Sequence, residues 1–267
     1  MRRRVLILGG TGEAVDLARR LESRAEFDMV TSLAGRTCRP AAVPGRVRTG
    51  GFGGVEGLTA YLAGEHVDVV VDATHPYAAT ISNHAKLACD VLGVPRVQLW
   101  RPAWSPVDGD VWTGVASLDA AADAVANARI SAGGCVFLTT GVRDVQAFSR
   151  LQEVRFLVRL VDMPRTPLPL SKSELIVDRG PFAIENERAL FLEHGVELLV
   201  SKNSGGVATW SKLAAARELG VAVVMVDRPD PESGDRAETA EDVLRWLAQK
   251  GRFVQPRRGA GSFRPAP

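Results

Sequence analysis

The sequence predicts an α/β protein built as two parallel-sheet lobes around an interdomain cleft. Three features carry that prediction. Short apolar runs alternate with segments of helical period along most of the chain, the first run ends directly in glycines, and a proline-, glycine- and tryptophan-rich break at 101–114 interrupts a rhythm that then restarts. Alternating strands and helices imply parallel pairing with right-handed crossovers.

The elements follow in order. Residues 5–8 form an apolar run that reads as a buried strand. Ala14, Leu17, Ala18 and Leu21 then recur at the spacing of one helix face. A second strand covers 27–33, and 35–54 is a loop rich in Gly, Pro and Arg with a short strand around Val47. Val55, Leu58 and Leu62 mark a helix. The β-branched run 67–71 has the pattern of a strand covered on both faces, and it leads into a helix over 78–92 and a strand over 94–99. Beyond the break, helices are expected at 118–128, 182–194, 210–219 and from Thr239 to about 249. Strands are expected at 135–139, 156–161, 175–177, 196–200 and 221–226. Pro181 suits the first turn of its helix, and Thr239 with Asp242 three residues on approximates a capping box. The expected division is a nucleotide-binding lobe at 1–102, a linker at 103–114, a substrate lobe at 115–250 and a basic, aperiodic tail at 251–267.

Composition narrows the function. A formal net charge of +2 gives no electrostatic case for nucleic acid. No apolar run approaches a membrane span, and the N-terminal strand is too short for a signal-peptide core, so a cytoplasmic chain is expected, monomeric or weakly self-associating. Cys38, Cys89 and Cys135 lie far apart with no Cys-x-x-Cys pair, which argues against a zinc site or a disulfide framework. Neither tyrosine has a lysine four residues on (Glu65 follows Tyr61 and Ile81 follows Tyr77), which excludes short-chain-dehydrogenase chemistry. Serine-hydrolase, zinc-protease and phosphate-loop motifs are also lacking, leaving hydride transfer in which a cofactor carries the difficult step.

Gly9-Gly10-Thr11-Gly12 lies between the first strand and the first helix, where glycines let a backbone approach a pyrophosphate at a helix N-terminus. The third glycine of the full dinucleotide spacing is replaced by Val15. NAD enzymes place a carboxylate near the end of the second strand to hold the ribose. Here Ser32 and Arg36 stand there instead, which suits a 2′-phosphate and selects NADPH. His75, at a strand end, is the candidate proton donor near pH 7, and Thr74 the candidate cap of the following helix and donor to the cofactor. Tyr77 is placed to pack against the nicotinamide or a flat substrate. Gly53, in a stretch with four glycines among residues 50–54, allows close ligand approach. Ser204, Gly205 and Gly206 repeat the strand–glycine–helix arrangement in the second lobe, and with Lys202, Arg143 and Lys172 they suit carboxylates.

Five motifs in register, Gly9-Gly-Thr-Gly-Glu13, Ser32-Leu-Ala-Gly-Arg36, Gly50-Gly-Phe-Gly-Gly54, Asp72-Ala-Thr-His-Pro-Tyr-Ala78 and Ser201-Lys-Asn-Ser-Gly-Gly206, resemble the precorrin-6A reductase family. The resemblance covers roughly residues 4–228 and departs at Ala14, where glycine is expected. It implies two Rossmann-like lobes with NADPH and a tetrapyrrole at the cleft, and Glu13 among the cofactor residues. It further implies reduction of one double bond of precorrin-6A to precorrin-6B in cobalamin biosynthesis, with no resident metal. Two other readings remain open from the residues themselves: another NADPH-dependent reductase on this scaffold, and a non-catalytic nucleotide-sensing module.

Overall fold

The computed structural model describes residues 2–35, 37 and 41–250. Arg36, Cys38 and the tail at 251–267 lie outside the described residues, so the expectations placed on them are not addressed by the structure.

Two six-stranded parallel sheets form the frame. In the first, β1 (Arg3–Leu8), β2 (Phe27–Leu33), β3 (Arg46–Thr49), β4 (Val69–Asp72) and β5 (Arg96–Leu99) are joined by β12 (Asp235–Ala237), in the order β3-β2-β1-β4-β5-β12. In the second, β6 (Trp112–Val115), β7 (Cys135–Leu138), β8 (Arg155–Leu160), β9 (Ser173–Val177), β10 (Val196–Lys202) and β11 (Ala222–Val226) run in the order β9-β8-β7-β10-β11-β6. The first order is that of a doubly wound dinucleotide fold. The second matches it except that its sixth position is filled by the strand that enters the lobe first.

Each sheet is covered on both faces at its centre, which is why its central strands β1, β4, β7 and β10 carry apolar runs, while the edge strands β3, β9 and β12 do not. In β1, Val5 and Ile7 pack on α1 (Gly12–Glu22) and α7 (Ala240–Lys250). Leu6 and Leu8 face α2 (Gly54–Gly64) and α3 (Ala79–Leu92) on the other side. In the second lobe, Val136 and Leu138 pack on α4 (Leu118–Asn127), while Cys135 and Phe137 meet α5 (Ile184–His194) and α6 (Ser211–Glu218).

Local signals placed most elements correctly. Thr11 accepts a hydrogen bond from Ala14 N as the cap of α1, and Thr239 and Asp242 cap α7 reciprocally. Other expectations need correction. The 103–114 linker contains most of β6, which pairs with β11. The end of the supposed substrate lobe at 115–250 returns to the first lobe: β12 pairs with β5, and Val243, Leu244 and Leu247 of α7 fill the core around Leu17 and Leu21. The helix after Pro181 begins at Ile184, so this proline precedes the first turn. No described helix is long and apolar enough to cross a membrane.

Candidate active site in the interlobe crevice

Open parallel sheets bind ligands beyond the carboxyl ends of their strands, where the strand order reverses. That point lies between β1 and β4 in the first sheet and between β7 and β10 in the second. The loops leaving these four strands meet one another, so both reversal points open on a single crevice.

The loop after β1 is shaped by close packing below and open space above. An added Cβ on Gly9 would stand 3.0 Å from Thr31 Cγ2, whereas one on Gly10 or Gly12 would meet nothing within 4 Å among the described residues. Gly10 has φ +113°, a conformation that favours glycine. Thr11 both caps α1 and donates to Ala73 O at 2.8 Å, tying this loop to the end of β4. Across β2, Gly50 and Gly53 have positive φ and also border open space. Glycine backbone therefore rims the first-lobe side of the crevice, beside the first turn of α1. This rim fits the pyrophosphate and flat rings of a dinucleotide. Ser32, buried at the end of β2, accepts from Arg48 Nη1 at 2.8 Å.

The loop after β4 differs from its expected role. The Thr74 hydroxyl donates to the fully buried Asp72 at 2.7 Å, and α3 begins at Ala79 without a side-chain cap. Thr74 thus stabilises its own turn and does not cap α3. Tyr77 crosses to the second lobe, where it packs against the core beneath β10 and β11 and its hydroxyl donates to Val226 O. Burial raises its pKa well above the ordinary tyrosine value. Tyr77 therefore pins the lobes together through its hydroxyl.

His75 sits between the lobes. Its pKa is lowered to about 3, first by burial and then by Arg101, Lys202, Arg228 and Lys212. The ring is neutral at pH 7, and the expected imidazolium proton donor is replaced by a neutral imidazole near Arg101, Lys202 and Arg228. Its Nδ1 receives a long contact, 3.4 Å, from Tyr77 N.

Two of those cations form a clasp that sequence reasoning did not single out. Arg101 donates through Nη1 to Glu13 at 2.6 Å and through Nε to Ser204 O at 2.7 Å, while its carbonyl accepts from Arg228 Nη1 at 2.8 Å. Glu13, expected among the cofactor residues, is held in this ion pair at the first turn of α1. Both arginines lie just past the carboxyl end of a strand, Arg101 after β5 and Arg228 after β11. That position was the available signal.

The 204–206 loop is packed against the first lobe and the crossover. A Cβ on Gly205 would stand 2.1 Å from Pro102 O, and one on Gly206 3.0 Å from Glu13 Oε1. Asn203 and Trp104 exchange backbone and side-chain hydrogen bonds of 2.8 and 3.0 Å beside it. Lys202 reaches the crevice, paired with Asp144 at 2.7 Å and lying 4.6 Å over the Tyr77 ring. Arg143 is exposed on the loop after β7, near the buried Thr140, whose hydroxyl has no partner among the described residues. Lys172 does not join them. It precedes β9, at the amino end of the sheet, and pairs with Glu153 at 2.6 Å in solvent.

The crevice thus joins a glycine-rimmed first-lobe wall to a cationic floor, an arrangement that can hold a dinucleotide beside a polyanion. Comparison with known proteins identifies the family. Residues 4–248 match the family described as precorrin-6x reductase CbiJ/CobK. The chain is 44% identical to the precorrin-6A reductase of Rhodococcus erythropolis, covering 94% of this chain and 99% of that one. It is 31% identical to the cobalt-precorrin-6A reductase of Priestia megaterium, covering 93% and 99% respectively. A solved structure titled CobK precorrin-6A reductase superposes with a TM-score of 0.87 at 42% identity, over 93% of this chain and 97% of the other.

Proposed function

We propose, from the premise that the chain belongs to the precorrin-6x reductase CbiJ/CobK family, that it reduces one double bond of precorrin-6A to give precorrin-6B, with NADPH as reductant. Family membership makes it an oxidoreductase of cobalamin biosynthesis. The metal-free macrocycle is the substrate favoured here, because identity to the relative named for precorrin-6A, 44%, exceeds that to the relative named for the cobalt form, 31%.

The observation that carries the reading is the crevice itself: a glycine rim at Gly10, Gly12, Gly50 and Gly53 opposite Arg101, Lys202 and Arg228 gathered around a neutral His75. The rim would hold the dinucleotide, with its pyrophosphate at the start of α1. When bound, NADPH supplies a hydride to one ring carbon of the macrocycle. The cationic floor, with Arg143 at its edge, would orient the carboxylates on the macrocycle rim, and 204–206 would seat one side of it. His75, neutral, serves as a hydrogen-bonding wall. The Tyr77 hydroxyl is committed to Val226 O, so the proton for the neighbouring carbon comes from solvent or from the macrocycle's own nitrogens.

The test is to titrate the purified protein with NADPH and NADH by nicotinamide fluorescence, then add precorrin-6A and follow absorbance. Tight NADPH binding with oxidation only after the macrocycle is added is expected. Binding without turnover would leave the fold with another substrate, and failure to bind either nucleotide would remove the cofactor assignment.

A further inference from the structure

β3 ends one position beyond Arg48, a residue whose side chain is held unusually firmly for a cation in no ion pair among the described residues. Arg48 lies opposite Ser32 in the β2–β3 register. Its Nη1 donates to Ser32 Oγ at 2.8 Å and to Gly50 O at 3.0 Å, and its Nη2 donates to Gly51 O at 3.0 Å. The guanidinium lies 3.8 Å over the Phe52 ring. Every one of these partners is neutral. The contrast is Arg46, two residues earlier on the same strand, which lies within ion-pair distance of both Asp28 and Glu65.

The place matters because the end of the second strand is where a dinucleotide fold meets the adenosine ribose. A carboxylate there accepts from the two ribose hydroxyls. Here the position is filled by Ser32, which accepts from Arg48 and keeps its own hydroxyl proton to donate. Three of the five guanidinium N–H groups are engaged among the described residues, leaving Nε and one Nη2 hydrogen. Nε and Nη2 flank one edge of the planar fork, the edge whose geometry matches a phosphate oxygen pair. Among the described residues, a Cβ on Gly50 or Gly51, which anchor the fork, or on Gly53 or Gly54 beside them, would meet nothing within 4 Å.

We infer that Arg48, presented by Ser32 and the carbonyls of Gly50 and Gly51, reads the 2′-phosphate of the dinucleotide and sets the preference for NADPH over NADH. The inference rests on the NADPH reading above and gives it a residue on the described backbone, distinct from Arg36.

The experiment compares wild type with Arg48→Ala, Arg48→Lys and Arg36→Ala. It measures kcat/KM for NADPH and NADH at saturating precorrin-6A, and the affinities of 2′,5′-ADP and 5′-AMP by competition against NADPH fluorescence. Arg48→Ala is expected to lower the NADPH/NADH ratio by about 30-fold, the value of a charge-assisted bidentate contact. It should lower the 2′,5′-ADP/5′-AMP ratio equally, with Arg48→Lys in between because it keeps charge without the fork. If Arg48 only braced the glycine loop, affinities for both nucleotides would fall together and the ratios would stay, which overturns the inference. A ratio kept by Arg48→Ala and lost by Arg36→Ala also overturns it, leaving NADPH in place. A wild-type enzyme that shows no preference in either measurement removes the NADPH reading itself.

Discussion

His75 gives a prediction that separates the structure from the sequence-based expectation of a histidine titrating near pH 7. At pH 8 the imidazole is neutral in both the folded and the unfolded chain, so it contributes no pH dependence. Below the ordinary value of 6.5 the unfolded chain takes up a proton there, while the folded chain, with its value near 3, does not. Stability attributable to His75 is therefore full above pH 6.5 and is lost as pH falls from 6.5 towards 3. At pH 5 the loss is RT ln(1 + 10^1.5), about 2 kcal/mol. That figure hardly changes for any folded value below about 4, so it rests on the direction of the shift more than on its size.

The assay is urea unfolding followed by tryptophan fluorescence at pH 8, 6.5 and 5, on wild type and His75→Gln. The difference between the two proteins removes the contributions of the carboxylates and the other histidines. Wild type should lose about 2 kcal/mol more than the variant between pH 8 and pH 5. Turnover by the variant should be lowered by a factor that does not vary between pH 6 and 8, as befits a neutral wall and not an acid. Identical pH slopes for the two proteins, or an imidazole Cε1–H resonance in wild type that titrates near 6.5, would refute the argument.

Two further outcomes are expected. Arg101→Ala breaks the 2.6 Å pair with Glu13 and the bond to Ser204 O together. Because both ends are partly solvated, a stability loss of about 1–2 kcal/mol is expected, accompanied by weaker binding of NADPH. A double-mutant cycle with Glu13→Gln should be non-additive, and strict additivity would mean that the pair contributes nothing. Gly205→Ala and Gly10→Ala form a contrast, since both positions have positive φ but only Gly205 faces backbone, Pro102 O at 2.1 Å from the added Cβ. Gly205→Ala should cost stability well beyond the roughly 1–2 kcal/mol of backbone strain, read in thermal unfolding. Gly10→Ala should cost little more than that strain yet weaken NADPH binding, and equal effects on stability would count against the packing described.

What the sequence disclosed depended on how local the cause was. The glycine loop after β1, the Thr239–Asp242 cap and the apolar runs of β1, β4 and β10 are written within a few residues, and all were legible. β12 was not, because Asp235-Arg-Ala is three residues long with one apolar side chain, and only the exposed edge of β5 makes it a strand. Thr74 was misread because its nearest acceptor, Asp72, lies two residues behind it and competes with the helix it was expected to cap. The state of His75 was out of reach for the same reason on a larger scale. Its neighbours Arg101, Lys202, Arg228 and Lys212 come from three separate strand ends and a helix. Arg101 and Arg228 could have been singled out by position alone, since each follows a strand that the apolar pattern had already located.

That position ties the site to the topology. The chain leaves the first sheet after β5 to complete the second with β6, and leaves the second after β11 to complete the first with β12. Each departure starts at a carboxyl strand end and crosses between the lobes, so the two crossing segments must run beside each other where the sheets meet. Arg228 Nη1 bonded to Arg101 O is that meeting. The exchange of sixth strands therefore supplies two of the cations of the crevice floor, Arg101 and Arg228, and it fixes the two lobes to each other with the same residues. A doubly wound lobe that completed its own sheet would have no reason to send an arginine-bearing crossover through this space. Under the function proposed above, recognition of a polyanionic substrate here would follow from how the chain is shared between the lobes, as much as from which residues it carries.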